Sequence, residues 1–216
     1  MSPFADEAAL IDDPRVLRVR IADNGEPLVD LRTVTGLDVD HARTLVQQLS
    51  DNPFRVRAGV AERLTRAQAV LPGGYQVQVK EGWRPVWVQQ RLWDESLAQL
   101  RASHPGIGQE EAWRENTRFT APPDIAPPHS TGGAVDVVLL HEGRAVDMGW
   151  GFNEPGAGSR TAAPVAEEAR RHRDVLSSAL SGAGLVNYPA EWWHWSYGDR
   201  YWAFQSGYGT AVYGPL

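Results

Sequence analysis

Pro127-Pro128-His129-Ser130-Thr131-Gly132-Gly133-Ala134-Val135-Asp136-Val137-Val138-Leu139-Leu140 is the stretch on which the fold turns. Its second half is small, β-branched and nearly free of polarity, over the length of a buried strand. In an extended chain Ala134, Asp136 and Val138 share one face, and Val135, Val137 and Leu139 share the other. Asp136 therefore projects from the middle of an apolar strand, where a carboxylate is costly unless it is paired or bound to a metal. His129 stands seven positions earlier, beyond Gly132-Gly133, where the backbone can turn tightly. An imidazole and a carboxylate brought together in this way suit Zn2+. The competing reading is a capped turn feeding a strand whose Asp accepts from backbone amides.

A second stretch, Glu191-Trp192-Trp193-His194-Trp195, sets a Glu three residues before a His inside an aromatic cluster. Alone it reads as a core segment. Together the two stretches supply His129, Asp136 and His194, the three protein ligands of a zinc site that keeps one position open, with Glu191 beside them as a general base. A Glu and a His at i and i+3 share a helix face but not a strand face. At a strand end, a turn or bulge must bring both towards the metal.

The remainder of the 216 residues reads as one domain, with residues 1–40 the least patterned part. A net charge of −6 argues against nucleic acid or an anionic membrane surface as partner. The absence of cysteine excludes disulfides and thiolate ligands, and no apolar run is long enough to cross a membrane. The first seven residues lack the basic and apolar regions of a signal peptide. Alternation predicts strands over 15–21, 27–31, 75–80, 145–148, 185–188 and 200–204. Helical spacing predicts helices over 40–49 (through Ala42, Leu45, Val46 and Leu49), 60–71, 85–102, 109–116 and 165–182. The last of these should turn Arg170, Arg171 and Arg173 to solvent. Residues 149–164, with glycines at 149, 151, 156 and 158, read as a wall or lid. His41, His104, His141 and His172 have no ligand-like spacing and are expected on the surface. The Trp192, Trp193, Trp195 and Trp202 group reads as core, with one member lining a pocket.

The order H-S-T-G-G-A-V-D, then E-W-W-H, resembles the zinc D-alanyl-D-alanine dipeptidases of the VanX type. Glu81-Gly82-Trp83-Arg84-Pro85 is similar to that family's G-Y-R-P segment, and Met148-Gly149 with Phe152 match another short block. The resemblance spans about residues 55–204. It implies an α+β fold with a mostly antiparallel central sheet, helices packed against one face, and the zinc on the exposed side. It also implies a cytoplasmic enzyme that hydrolyses a small D,D-dipeptide such as D-Ala-D-Ala, with Arg84 stabilising the tetrahedral intermediate. Two positions depart from the pattern. Pro127 stands where many members carry Ser. Asn153 followed by Glu154 stands where the family has an Asp that receives the substrate's amino group. These substrate-binding positions leave room for a zinc D,D-carboxypeptidase or another small-peptide hydrolase. A non-catalytic zinc-binding module is the reading from another class, and it would need neither Glu191 nor Arg84. Oligomeric state is not set by the sequence.

Overall fold

The structure, a computed structural model, describes residues 9–41, 45–50, 53–118 and 120–216. Residues 1–7 and Ala42, for which the sequence carries expectations, lie outside these. The elements follow as α1 (Pro14–Leu17), β1 (Arg20–Ile21), β2 (Leu28–Asp30), β3 (Asp38–Val39), α2 (Leu45–Leu49), β4 (Arg55–Arg57) and α3 (Ala58–Val70). Next come β5 (Tyr75–Glu81), α4 (Val86–Ser103), α5 (Gln109–Thr117), β6 (Ala134–His141) and β7 (Arg144–Ala145). The chain closes with α6 (Glu167–Gly182), β8 (Val186–Asn187), β9 (His194–Ser196), α7 (Arg200–Gln205) and β10 (Thr210–Ala211).

The apolar strand β6 lies at the centre of a six-stranded sheet, ordered β3-β5-β6-β9-β8 with β7 also beside β6. Its register sets Val137 opposite Val79, Leu139 opposite Val77 and Val135 opposite Trp195. Directly opposed residues share a face, so the middle of one face is apolar. A single core cluster joins it to Val60, Leu64 and Ala67 of α3 and to Leu176, Ala179 and Leu180 of α6. Each buried Val or Leu among these contributes roughly 1.5–3 kcal/mol. The opposite face carries Asp136, with Glu81 of β5 on one side and His194 of β9 on the other. One sheet therefore separates core from chemistry, strand by strand.

The fold is α+β, as expected, but several local expectations are corrected. The sheet is mixed rather than mostly antiparallel. β3 runs parallel to β5 across a crossover through α2, β4 and α3, and β1 pairs parallel with β10 outside the main sheet. A two-residue strand has no alternation to read, which is why this topology is invisible in the sequence. Helices are not confined to one face, because α4 walls the cavity on the polar side. Residues 200–204 form helix α7, capped by the Asp199 side chain accepting from Trp202 N at 2.7 Å. Residues 15–21 split into α1, capped by Asp13, and a short strand. The partner strand expected over 145–148 is only Arg144–Ala145. Of the four remaining histidines, His172 is half-buried, its Nδ1 bonded to Asp147 O at 2.9 Å.

Arg173 is the largest of these corrections. It is buried, and its guanidinium donates to the carbonyls of Met148, Gly158, Arg160 and Thr161. Arg170 donates to those of Thr161 and Ala163. A run of arginines reads as a solvated face, but here two of them satisfy the carbonyls of the glycine-rich segment 149–164, which has no regular structure to do so.

Candidate active site

Three local devices converge on the polar face of the sheet. β6 presents Asp136. Ahead of it a 3-10 turn, Pro128–Thr131, presents His129 and ends at Gly132 with φ of 72°. A side chain at Gly132 would lie 2.6 Å from Leu28 Cδ2, so backbone freedom and close packing both require glycine there. On the other side, His194 N donates to Glu191 O at 3.2 Å, closing the turn that leads into β9. Asn187 Nδ2 clamps that turn through the carbonyls of Glu191 and His194, each at 3.0 Å. The turn is what allows Glu191 and His194, three apart, to face one point.

His129 Nε2 lies 3.1 Å from His194 Nδ1 and 3.3 Å from Asp136 Oδ1, and His194 Nδ1 lies 3.0 Å from Asp136 Oδ1. All three side chains are buried. His129 Nδ1 donates to Gly82 O at 2.8 Å, which leaves the lone pair of Nε2 turned towards the other two. Electron-pair donors converging in this way repel one another unless a cation lies between them. Two imidazoles, a carboxylate, and a backbone carbonyl fixing one tautomer are the donor set of a divalent zinc-type site. Burial works against the Asp136 charge, yet His129 and His194 hold its carboxyl far below the usual carboxylate range.

Glu191 Oε2 is 3.9 Å from His194 Nδ1, and its side chain keeps 22% exposure on the cavity side. Burial pushes its carboxyl up to about 7; His194 and Arg84 oppose the rise and the Asp136 charge adds to it. Arg84 follows β5, its Nε bonded to Glu81 Oε1 at 2.5 Å and its Nη1 to Gln89 Oε1 at 2.7 Å. Gln89 in turn donates to Ala121 O at 2.7 Å. These groups open on one cavity of about 330 Å3. Of the clustered tryptophans, Trp193 lines it, packed edge-on against Phe152 at 5.7 Å, and Phe152 and Tyr188 line it as well. Asn153 lines it too, with φ of 54°. Glu154 does not. It is exposed and folded back onto Gly151, and its carbonyl accepts from Trp150 Nε1 at 2.9 Å.

The sequence profile of the M15 peptidases, described as D-Ala-D-Ala dipeptidase, matches residues 42–208. A D-alanyl-D-alanine dipeptidase of Synechocystis is 32% identical over 88% of this chain and 89% of its own length. The chain belongs to the D-Ala-D-Ala dipeptidase family. A second relative, a D-alanyl-D-alanine dipeptidase of Escherichia coli, is 28% identical over 56% of this chain and 54% of its own. Among solved structures, the LdcB LD-carboxypeptidase aligns over 94% of this chain and 87% of its own, at 16% identity and a TM-score of 0.48. As a member of a dipeptidase family, the protein is a peptidase.

Within this peptidase, five residues singled out by spacing or resemblance reach one cavity: His129, Asp136, His194, Glu191 and Arg84. Asn153 joins them and Glu154 stays outside. Sequence reading passed over Glu81 and Gln89, which grip Arg84. Glu81 sits inside the quoted Arg84 segment, so the position was visible, but its direction depends on a strand irregularity that no residue pattern announces.

Proposed function

We propose that this chain is a zinc-dependent hydrolase of D,D-dipeptides such as D-Ala-D-Ala. His129, Asp136 and His194 would hold the metal, Glu191 would be the general base, and Arg84 would donate to the developing oxyanion. The observation that carries this reading is the convergence of three buried donor atoms, with Glu191 and Arg84 facing the same cavity. A bound zinc would supply a Lewis acid and a water acidified to a pKa of about 7. Glu191 accepts a proton from the water that attacks the scissile carbonyl and returns it to the leaving amine. Arg84, with Nε and Nη1 already held, turns its remaining N–H groups to the carbonyl oxygen as charge grows there. The reading takes residues 1–216 as one catalytic domain and carries the cytoplasmic location that the family resemblance implies.

The test is direct. Purified protein incubated with D-Ala-D-Ala should release free alanine, lose that activity to a chelator and regain it with zinc. Zinc-loaded, folded protein that leaves the dipeptide intact would overturn the proposal.

The shape of the cavity favours a second reading within the same chemistry. Gln89, Leu92, Ser96 and Gln99 line it along one stripe of α4, which spans about 15 Å at the usual helical rise. An extended dipeptide spans only about 7 Å. Longer peptides ending in D-Ala-D-Ala therefore fit as well, as a D,D-carboxypeptidase requires. Asn153 bears on the choice, because an amide facing the substrate's amino end keeps an acceptor without the charge. Asn153→Asp is expected to raise the preference for free over N-acetylated D-Ala-D-Ala by about tenfold, near 1.4 kcal/mol of charge-assisted bonding. Comparing kcat/KM for both substrates checks it, with Glu154→Gln as the control that should change nothing.

A further inference from the structure

We propose that Glu81 is the positioning residue for Arg84, and that a β-bulge in β5 is what places it. The inference rests on the reading of Arg84 as the oxyanion donor. The pairing of β5 with β6 runs regularly from Tyr75 to Val79, then shifts between Val79 and Glu81, so that Glu81 rather than Lys80 lies opposite Asp136. Continued without the shift, the register would set the Lys80 ammonium beside the cluster of His129, Asp136 and His194. A cation there would oppose any metal. The extra residue instead sends Lys80 to Asp40, with which it forms an ion pair. A bulge beside a site re-aims one side chain at the cost of one ladder position.

Glu81 is buried, and its Oε1 accepts from Arg84 Nε at 2.5 Å. Gln89 holds Nη1 from the other side, anchored at Ala121 O. Among the described residues Nη2 bonds to no protein group, so the guanidinium is gripped along two edges and open on the third. The segment after the bulge is fixed as firmly. Gly82 N donates to Pro53 O and Trp83 N to Arg55 O, each at 2.6 Å, and a side chain at Gly82 would meet Arg55 O at 2.6 Å. The Gly82 carbonyl is the group that orients His129. One irregularity therefore sets the metal-facing tautomer and the aim of Arg84 together. A planar guanidinium is useful in catalysis only where its fork points.

Four variants test this: Glu81→Gln, Glu81→Asp, Arg84→Lys and the double Glu81→Gln/Arg84→Lys, each assayed for kcat, KM, zinc content, thermal midpoint and affinity for a phosphinate analogue of D-Ala-D-Ala. Glu81→Gln should keep stoichiometric zinc and KM within about twofold, while kcat and phosphinate affinity both fall about 30-fold, since only the tetrahedral state uses the aimed donor. Glu81→Asp should recover part of the loss. The double variant should be no worse than Arg84→Lys alone, because the two residues act as a unit. Wild-type kcat in Glu81→Gln, or additive losses in the double variant, overturns the inference. Wild-type kcat in Arg84→Lys overturns the reading of Arg84 itself. Should Glu81→Gln not fold, Glu81→Asp, which keeps the charge and shortens the reach, carries the same cycle with a smaller loss.

Discussion

Glu191→Ala is expected to retain zinc and fold while losing between about 100- and 10,000-fold in kcat, the range for removal of a positioned general acid–base group. The loss corresponds to about 3–6 kcal/mol of barrier, at 1.4 kcal/mol per factor of ten. Its size follows from geometry. The carboxylate stands 3.9 Å from His194 Nδ1, near enough to reach a water at the cluster without joining it. Asp136→Ala supplies the contrast, because it removes the oxygen on which both imidazoles converge and should cost the metal itself. Elemental analysis beside kcat separates the two variants. Turnover near wild type in Glu191→Ala would move the base to another cavity carboxylate, with Glu81 first in line opposite Asp136.

The second large effect is on stability, and it comes from a residue far from the chemistry. Arg57 is buried, and its Nε donates to Thr131 O at 2.9 Å. Its Nη1 donates to Glu26 O at 2.5 Å, and its Nη2 to Asp23 Oδ2 at 2.5 Å and Gly214 O at 3.1 Å. One guanidinium thus ties the N-terminal region, the turn carrying His129 and the C-terminal tail to β4. Removing one partner of a buried ion pair costs on the order of 3–5 kcal/mol. Asp23 keeps 34% side-chain exposure, which places Arg57→Ala towards the lower end of that range. In a chain of this length the thermal midpoint should fall by roughly 10 °C. Arg57→Lys should recover little, because a single ammonium cannot serve four acceptors in a fork. Calorimetry on the three proteins checks this, and a shift under about 2 °C for Arg57→Ala would show that water replaces the guanidinium at no great cost.

Side chains chosen for burial were legible in the sequence. β6 and α3 were visible because Val135, Val137 and Leu139 alternate and Leu64, Ala67 and Leu71 recur at helical spacing, and in the structure those side chains lie in the core or pack against it. The trio of His129, Asp136 and His194 was visible because Asp136 interrupts an apolar run, where a carboxylate is costly without a partner. What escaped notice was set by backbone count and by long-range satisfaction. The alternation of Tyr75 to Lys80 continues without a flaw in the sequence, yet the pairing slips by one residue and substitutes Glu81 for Lys80. The aromatic run after Asp199 has strand propensity, but one side-chain cap turns it into a helix. Arg173 looked solvated because the carbonyls it serves lie 12 to 25 residues upstream.

That buried arginine has a mechanical corollary. The segment from Gly149 to Pro164 is bonded to α6 through Arg170 and Arg173, and also to the stretch that bears Glu191. Ser159 Oγ donates to Ala190 O at 2.9 Å, Trp192 N to Ser159 O at 2.9 Å, and Thr161 N to Pro189 O at 3.1 Å. Residues 158–163 of the wall and the stretch carrying Glu191 are therefore tied into one piece. That part cannot swing open for a bulkier peptide without moving Glu191, the proposed proton acceptor. A change of diet in this scaffold comes most cheaply by exchanging a side chain such as Asn153, with the wall left where it stands.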